Sequence, residues 1–167
     1  AMDATLYRTA AVLADGSVLS WGINDHGELG VRSQIQFASG PVMVSGLPPI
    51  RTLAAVRHVL ALTQQGQVFS WGSNWAGQLG LGDTVNRFQP VRIPGLTDVV
   101  AVAAGWDFSL ALKSDGTVWA WGSNAENQLA DGTTISRYLP TQVPGLTNIT
   151  KIIATRNPWF AISADSS

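Results

Sequence analysis

The sequence predicts an all-β protein built from propeller blades of four antiparallel strands, about three blades to the chain. Three observations predict it. First, one phrase recurs: Trp21-Gly22-Ile23-Asn24-Asp25-His26-Gly27-Glu28-Leu29-Gly30, then Trp71-Gly72-Ser73-Asn74-Trp75-Ala76-Gly77-Gln78-Leu79-Gly80, then Trp121-Gly122-Ser123-Asn124-Ala125-Glu126-Asn127-Gln128-Leu129-Ala130. From Trp21 to Trp71 and from Trp71 to Trp121 the spacing is 50 residues. A fixed period of this size marks units that bury their apolar faces only against their neighbours. Second, charged residues make up 13% and apolar residues 46%, against about 25% charged in an average domain. Third, no stretch carries apolar residues at helical spacing over two turns, which disfavours a helical repeat.

Within each unit an alternating run leads into a tight turn, clearest in Leu110-Ala111-Leu112-Lys113-Ser114-Asp115-Gly116. Gly16, Gly66 and Gly116 sit at matching places, where a two-residue hairpin turn calls for positive φ. The next strand is Val18-Leu19-Ser20-Trp21, Val68-Phe69-Ser70-Trp71 or Val118-Trp119-Ala120-Trp121. Its valine and small residue share one face, and its aromatic or leucine side chain shares the other with the tryptophan of the phrase. Both faces are therefore covered by neighbouring sheets. Gly22, Gly72 and Gly122 end this strand and open a loop. A third segment begins at Pro41, Pro90 and Pro140, and proline there suits an edge strand. An Ala-rich segment, Val99-Val100-Ala101-Val102-Ala103-Ala104, reads as the fourth strand, its small residues allowing crowding at a central axis. Four short strands per period make one propeller blade. All of residues 1–167 read as one repeat domain, three 50-residue repeats with partial units at both ends.

Composition excludes several function classes. Net charge is −1 with no basic run, so the electrostatic footprint of a nucleic-acid binder is missing. There is no cysteine, which removes disulfides, thiolate metal sites and cysteine nucleophiles. No apolar run reaches the roughly 20 residues of a membrane-spanning helix, and the opening Ala1-Met2 reads as a cloning remnant. The two histidines lie in different units, and no nucleophile, base and orienting group are indicated together. His26 beside Asp25 and Glu28 reads as loop surface rather than a metal site. No catalytic, cofactor or metal residue is expected.

The phrase Trp-Gly-x-Asn-x-x-Gly-Gln-Leu-Gly, preceded by Leu-x-x-Asp-Gly-x-Val and followed by Pro-x-x-Val-x-Gly-Leu, resembles the regulator of chromosome condensation (RCC1-type) repeat from about Thr5 to Ser163. The resemblance implies a seven-bladed β-propeller. Its family includes a guanine-nucleotide exchange factor for the GTPase Ran, a plant ultraviolet-B photoreceptor, a secreted bacterial inhibitor of β-lactamase and domains of ubiquitin ligases, so fold does not fix function. Two departures matter. Only one Gly-Trp element, Gly105-Trp106-Asp107, stands where the photoreceptor has a cluster with arginines. No insertion resembling the exchange factor's wedge interrupts the 50-residue rhythm.

Seven such blades need about 350 residues, and 167 residues are about 3.3 periods. Two readings follow. Either two chains close a ring head to tail, the tail Asn148–Ser163 completing a blade with the head Leu6–Trp21 of its partner, or the chain is a piece of a longer propeller. The functional expectation is a non-enzymatic protein–protein interaction scaffold that self-associates; the alternative is an enzyme regulator, an exchange factor or a secreted inhibitor. Trp21, Trp71 and Trp121 are expected to be packing anchors because they follow the period. Trp75 does not recur and falls in a rim loop, where an exposed tryptophan makes a binding hot spot. Trp106, Asp107, Arg57, His58 and Trp159 complete the candidate partner-binding set. The loops Asn24–Leu29, Asn74–Leu79 and Asn124–Leu129 are expected on one rim, and the loops carrying Arg57, Trp106 and Trp159 on another rim or at the axis.

Overall fold

The computed structural model describes residues 2–4, 8–32 and 35–164; Thr5, Leu6 and Tyr7 lie outside the described residues. Every regular element among the described residues is a β-strand. The first sheet is β1 (Met2–Ala4), β2 (Arg8–Val12), β3 (Val18–Ile23) and β4 (Phe37–Val44). The second is β5 (Ile50–Ala55), β6 (His58–Thr63), β7 (Val68–Gly72) and β8 (Arg87–Arg92). The third is β9 (Val99–Ala104), β10 (Phe108–Lys113), β11 (Val118–Gly122) and β12 (Arg137–Gln142). A fourth sheet holds β13 (Ile149–Ala154) and β14 (Trp159–Ser163). Each is an antiparallel meander in chain order.

The blade is phased differently from the sequence reading. Val99–Ala104 is not the last strand of a unit: it pairs with β10, Ala103 opposite Leu110, and so begins the next sheet. The reason lies in its small side chains. The first strands β1, β5, β9 and β13 pack against one another, and alanine is what fits at that crowded inner edge. The Pro-containing strands β4, β8 and β12 are the outer edges, as proline requires. The first sheet also has its four strands from its own chain, so β2 and β3 are already held between β1 and β4.

The hairpin turns carry three loop residues rather than two. Gly66 N donates to Thr63 O (3.3 Å) and Thr63 N to Gln67 O (2.9 Å), which is a type I turn closed by a glycine at φ +74°. The equivalent bonds run through Gly16 and Gly116.

The asparagine of the phrase ties its loop together. Asn24, Asn74 and Asn124 are buried. Each accepts from the leucine amide five residues on at 2.9 Å. Each amide group also donates across the loop, to Ile35 O (2.8 Å), Val85 O (3.0 Å) and Thr133 O (2.9 Å). A buried amide with donors and acceptors all met holds a long connection in one conformation. The leucines so fixed, Leu29, Leu79 and Leu129, are buried between sheets.

Tryptophan then joins blade to blade. Trp71 Nε1 donates to Glu28 O (3.0 Å) and Trp121 Nε1 to Gln78 O (2.9 Å), and both rings are fully buried. Trp21, with no blade before it among the described residues, is half-buried. The ring lies so close to the preceding loop that only glycine fits there. A Cβ on Gly80 would stand 2.8 Å from Trp121 Nε1. The third loop differs: Asn127 and Ala130, both at positive φ (58° and 53°), stand where the earlier loops have Gly77 and Gly80.

Gly80→Ala meets the Trp121 indole and a left-handed backbone together, and should lower unfolding free energy by about 2–4 kcal/mol. Gly132 has φ +78° but open space around it, so Gly132→Ala should lower it by only about 1 kcal/mol. Urea unfolding of the two variants checks this; equal losses would show that the indole contact adds nothing.

Candidate functional site

An antiparallel four-strand meander puts its first-to-second and third-to-fourth connections at the same end. The Arg57 connection between β5 and β6 therefore meets the loop after β7, and Ser73 N donates to Arg57 O (3.2 Å). The two loop families expected on separate rims share one. Successive strands alternate in direction, so every second connection falls at this end whichever strand is taken as the first of a blade.

On that rim a network crosses two seams. Trp75 is 57% exposed, yet its Nε1 donates to Asp107 Oδ1 of the next blade (3.0 Å). The exposed ring is thus held in one orientation. Arg57 Nη1 stands 3.6 Å from the same carboxylate oxygen. Burial raises the Asp107 pKa, while Arg57 and the Trp75 indole oppose the rise. The guanidinium of Arg57 also lies over the Trp106 ring, 4.6 Å from its centroid, and Arg156 from β13–β14's connection lies 4.3 Å from it. Stacked guanidinium and indole groups attract through the ring quadrupole. Four of the six expected binding residues, Arg57, Trp75, Trp106 and Asp107, are therefore neighbours. Arg156 belongs with them and was not singled out by sequence; its spacing of 50 from Trp106 was the available signal. Beside this network a cleft of about 410 Å³ is lined by Arg8, His26, Glu28, Arg57, Ser73 and Trp75. Arg8 and Glu28 form an ion pair within it (2.9 Å).

His58 is a correction. It is fully buried, not on the rim. Its Nε2 stands 2.6 Å from Ser109 Oγ, and that hydroxyl donates to Gln78 O (2.7 Å). Because the hydroxyl proton goes to the carbonyl, Nε2 carries the proton and donates. His58 begins its strand at the place Phe108 holds one period on, and both face the interior. Trp159 is the other correction. It is half-buried at the third seam, its Nε1 donating to Gln128 O (2.7 Å). It occupies the register of Ser109, opposite Ala154 as Ser109 is opposite Ala104. A groove of about 690 Å³ beside it is lined by Gln128, Ala130, Val143, Pro144 and Leu146.

Fold and seams define a class: four-stranded blades joined by a tryptophan of one unit bound to the loop of the unit before. The chain belongs to the Regulator of chromosome condensation (RCC1) repeat family, whose repeat matches residues 15–62, 65–112 and 115–157. A second form of the same repeat matches residues 99–128. Comparison with curated proteins gives no match. Among solved structures the chain is similar to human WBSCR16, with TM-score 0.84 and 23% identity over 96% of this chain and 43% of that one. It is also similar to yeast RCC1 (Prp20) bound to Kap60, with TM-score 0.87 and 20% identity over 99% of this chain and 42% of that one. Prp20p from Saccharomyces cerevisiae, described with its binding to Gsp1p and histones, gives TM-score 0.86 and 21% identity over 99% and 44%. The chain thus spans less than half the length of these structures, and the likeness at this identity shows the fold.

Burial pulls the His58 pKa down to about 3, with the Arg8 charge adding to the effect. The imidazole stays neutral in the fold while the unfolded chain takes up a proton near the ordinary value of 6.5. Stability is therefore undiminished above pH 6.5 and falls as pH drops towards 3, by about 2 kcal/mol at pH 5. His58→Phe, the residue type found at 108, should remove most of that loss. Urea unfolding at pH 7 and pH 5 measures it; an equal acid loss in the variant would assign the loss to other groups.

Proposed function

We propose that the chain is a non-enzymatic protein–protein interaction module whose contact surface is the rim of Arg57, Trp75, Trp106, Asp107 and Arg156. One observation carries the reading. Trp75 is a large exposed aromatic whose orientation is already fixed by Asp107, so little side-chain freedom is lost when a partner covers it. Tryptophan and arginine are the residues that most often dominate such interfaces. That the similar yeast protein is described with protein ligands (Kap60, Gsp1p, histones) supports a protein as the partner class.

Self-association is the second part of the reading. The outer edge of β14 has no strand paired to it among the described residues, and Trp21 at the opposite end is only half covered. A second copy stacking its first sheet against the β13–β14 sheet would cover both, extending the row of blades towards a ring. The interface would be sheet packing rather than a blade shared strand by strand, since the first sheet is already complete.

Trp75→Ala should weaken partner capture about tenfold or more with only the small drop in thermal midpoint that losing one hydrogen bond to Asp107 brings, because the ring contributes little buried area. Partners retained by immobilised wild type and variant, quantified side by side, give the comparison. Undiminished capture would overturn the rim reading. Light scattering across a concentration series should give a mass near twice 17.7 kDa. A monomer mass throughout would overturn self-association and leave the rim reading standing.

A further inference from the structure

We infer that the partner segment taken by this rim is extended and acidic, its carboxylates held by Arg57 and Arg156 on either flank of the Trp106 contact. The inference rests on the rim reading and names the chemistry of its ligand. Arg156 lies exposed over Trp106, 4.3 Å from the ring centroid, and has no ion-pair partner among the described residues. Glu126, an acid on the same rim, is occupied by Asn157 Nδ2 (3.2 Å). Arg57 has an acid only at 3.6 Å, and that carboxylate oxygen is already bonded by the Trp75 indole.

Stacking on an indole uses the flat face of a guanidinium and leaves the N–H groups along its edge for a ligand. Those groups match a carboxylate in a bidentate fork, a bond stronger than a neutral one. Backbone bonding keeps the two arginines in place, for Trp106 N donates to Arg156 O (3.1 Å). Thr155 closes the Arg156 loop on Pro158 O through both its N (3.0 Å) and its Oγ1 (2.7 Å). Both guanidiniums are within 4.6 Å of one ring centroid. In an extended segment, side chains at i and i+2 share a face about 6.6–6.8 Å apart, so two acids at alternate positions reach both arginines. Trp75, whose indole meets the same Asp107 oxygen as Arg57, would receive an apolar side chain flanking the acids.

The test uses a short peptide alternating Glu and Ser and a twin with Gln for every Glu, added to isotope-labelled protein at low salt. The Glu peptide should bind about tenfold tighter than its twin and move the Trp106 indole and Arg156 side-chain resonances. Its affinity should fall with added salt. Arg156→Gln, exposed and outside any core, should lose about tenfold while the fold's other resonances stay in place. Equal affinity for the two peptides, shifts confined to other blades, or an unaffected Arg156→Gln variant would each overturn the inference. Should Trp75→Ala still abolish partner capture in that event, the rim reading survives without its acidic ligand.

Discussion

Everything above one blade depends on a single hydrogen bond, the indole N–H of a tryptophan donated to a carbonyl in the loop of the preceding unit. A four-stranded sheet of this size cannot bury both of its apolar faces alone. The bond between Trp121 and Gln78 O does more than add about 1 kcal/mol of hydrogen bonding. It fixes the angle and distance at which sheets stack, and it seals a ring with no exposed surface into the seam. The loop on the receiving side must be rigid, and that is the role of Asn24, Asn74 and Asn124.

The second seam shows how closely stability and surface are joined. Gln78 O accepts from Trp121 and from Ser109, and Ser109 accepts from His58. One connection away, Arg57 and Asp107 stand at the rim. The residue pairs 57–58 and 107–108 each place one side chain outside and the next inside. Consecutive positions at a strand start thus serve opposite purposes, one in contact with solvent and one in the core.

Much of this was readable from the chain. The spacing of Trp21, Trp71 and Trp121 gave the architecture, and their recurrence separated packing tryptophans from Trp75, which is exposed. What escaped did so for physical reasons. Histidine suits a rim or a satisfied interior equally, and only the neighbouring hydroxyl of Ser109, remote in sequence, decides for the interior. Trp159 breaks the period, which made it resemble a free surface group, whereas it reaches Gln128 O from a serine's register. The order of strands within a blade was the larger miss, because a periodic sequence has no marked beginning. Shifting the starting point by one strand leaves the repeat unchanged but changes which strand lies at the inner edge of a blade and which at the outer.

The replacement of two glycines by Asn127 and Ala130 gives the row of blades a direction and a boundary for anyone who would lengthen it. A duplicate of the middle unit inserted after itself would find glycine sockets on the unit before it and offer them to the one after. The same duplicate grafted behind the third loop would press its ring against the methyl group of Ala130 and meet the bulky Trp159 indole at the carbonyl, where the second seam has only the Ser109 hydroxyl. Growth by gene duplication, natural or engineered, is therefore open in the interior of this array and obstructed at its third joint.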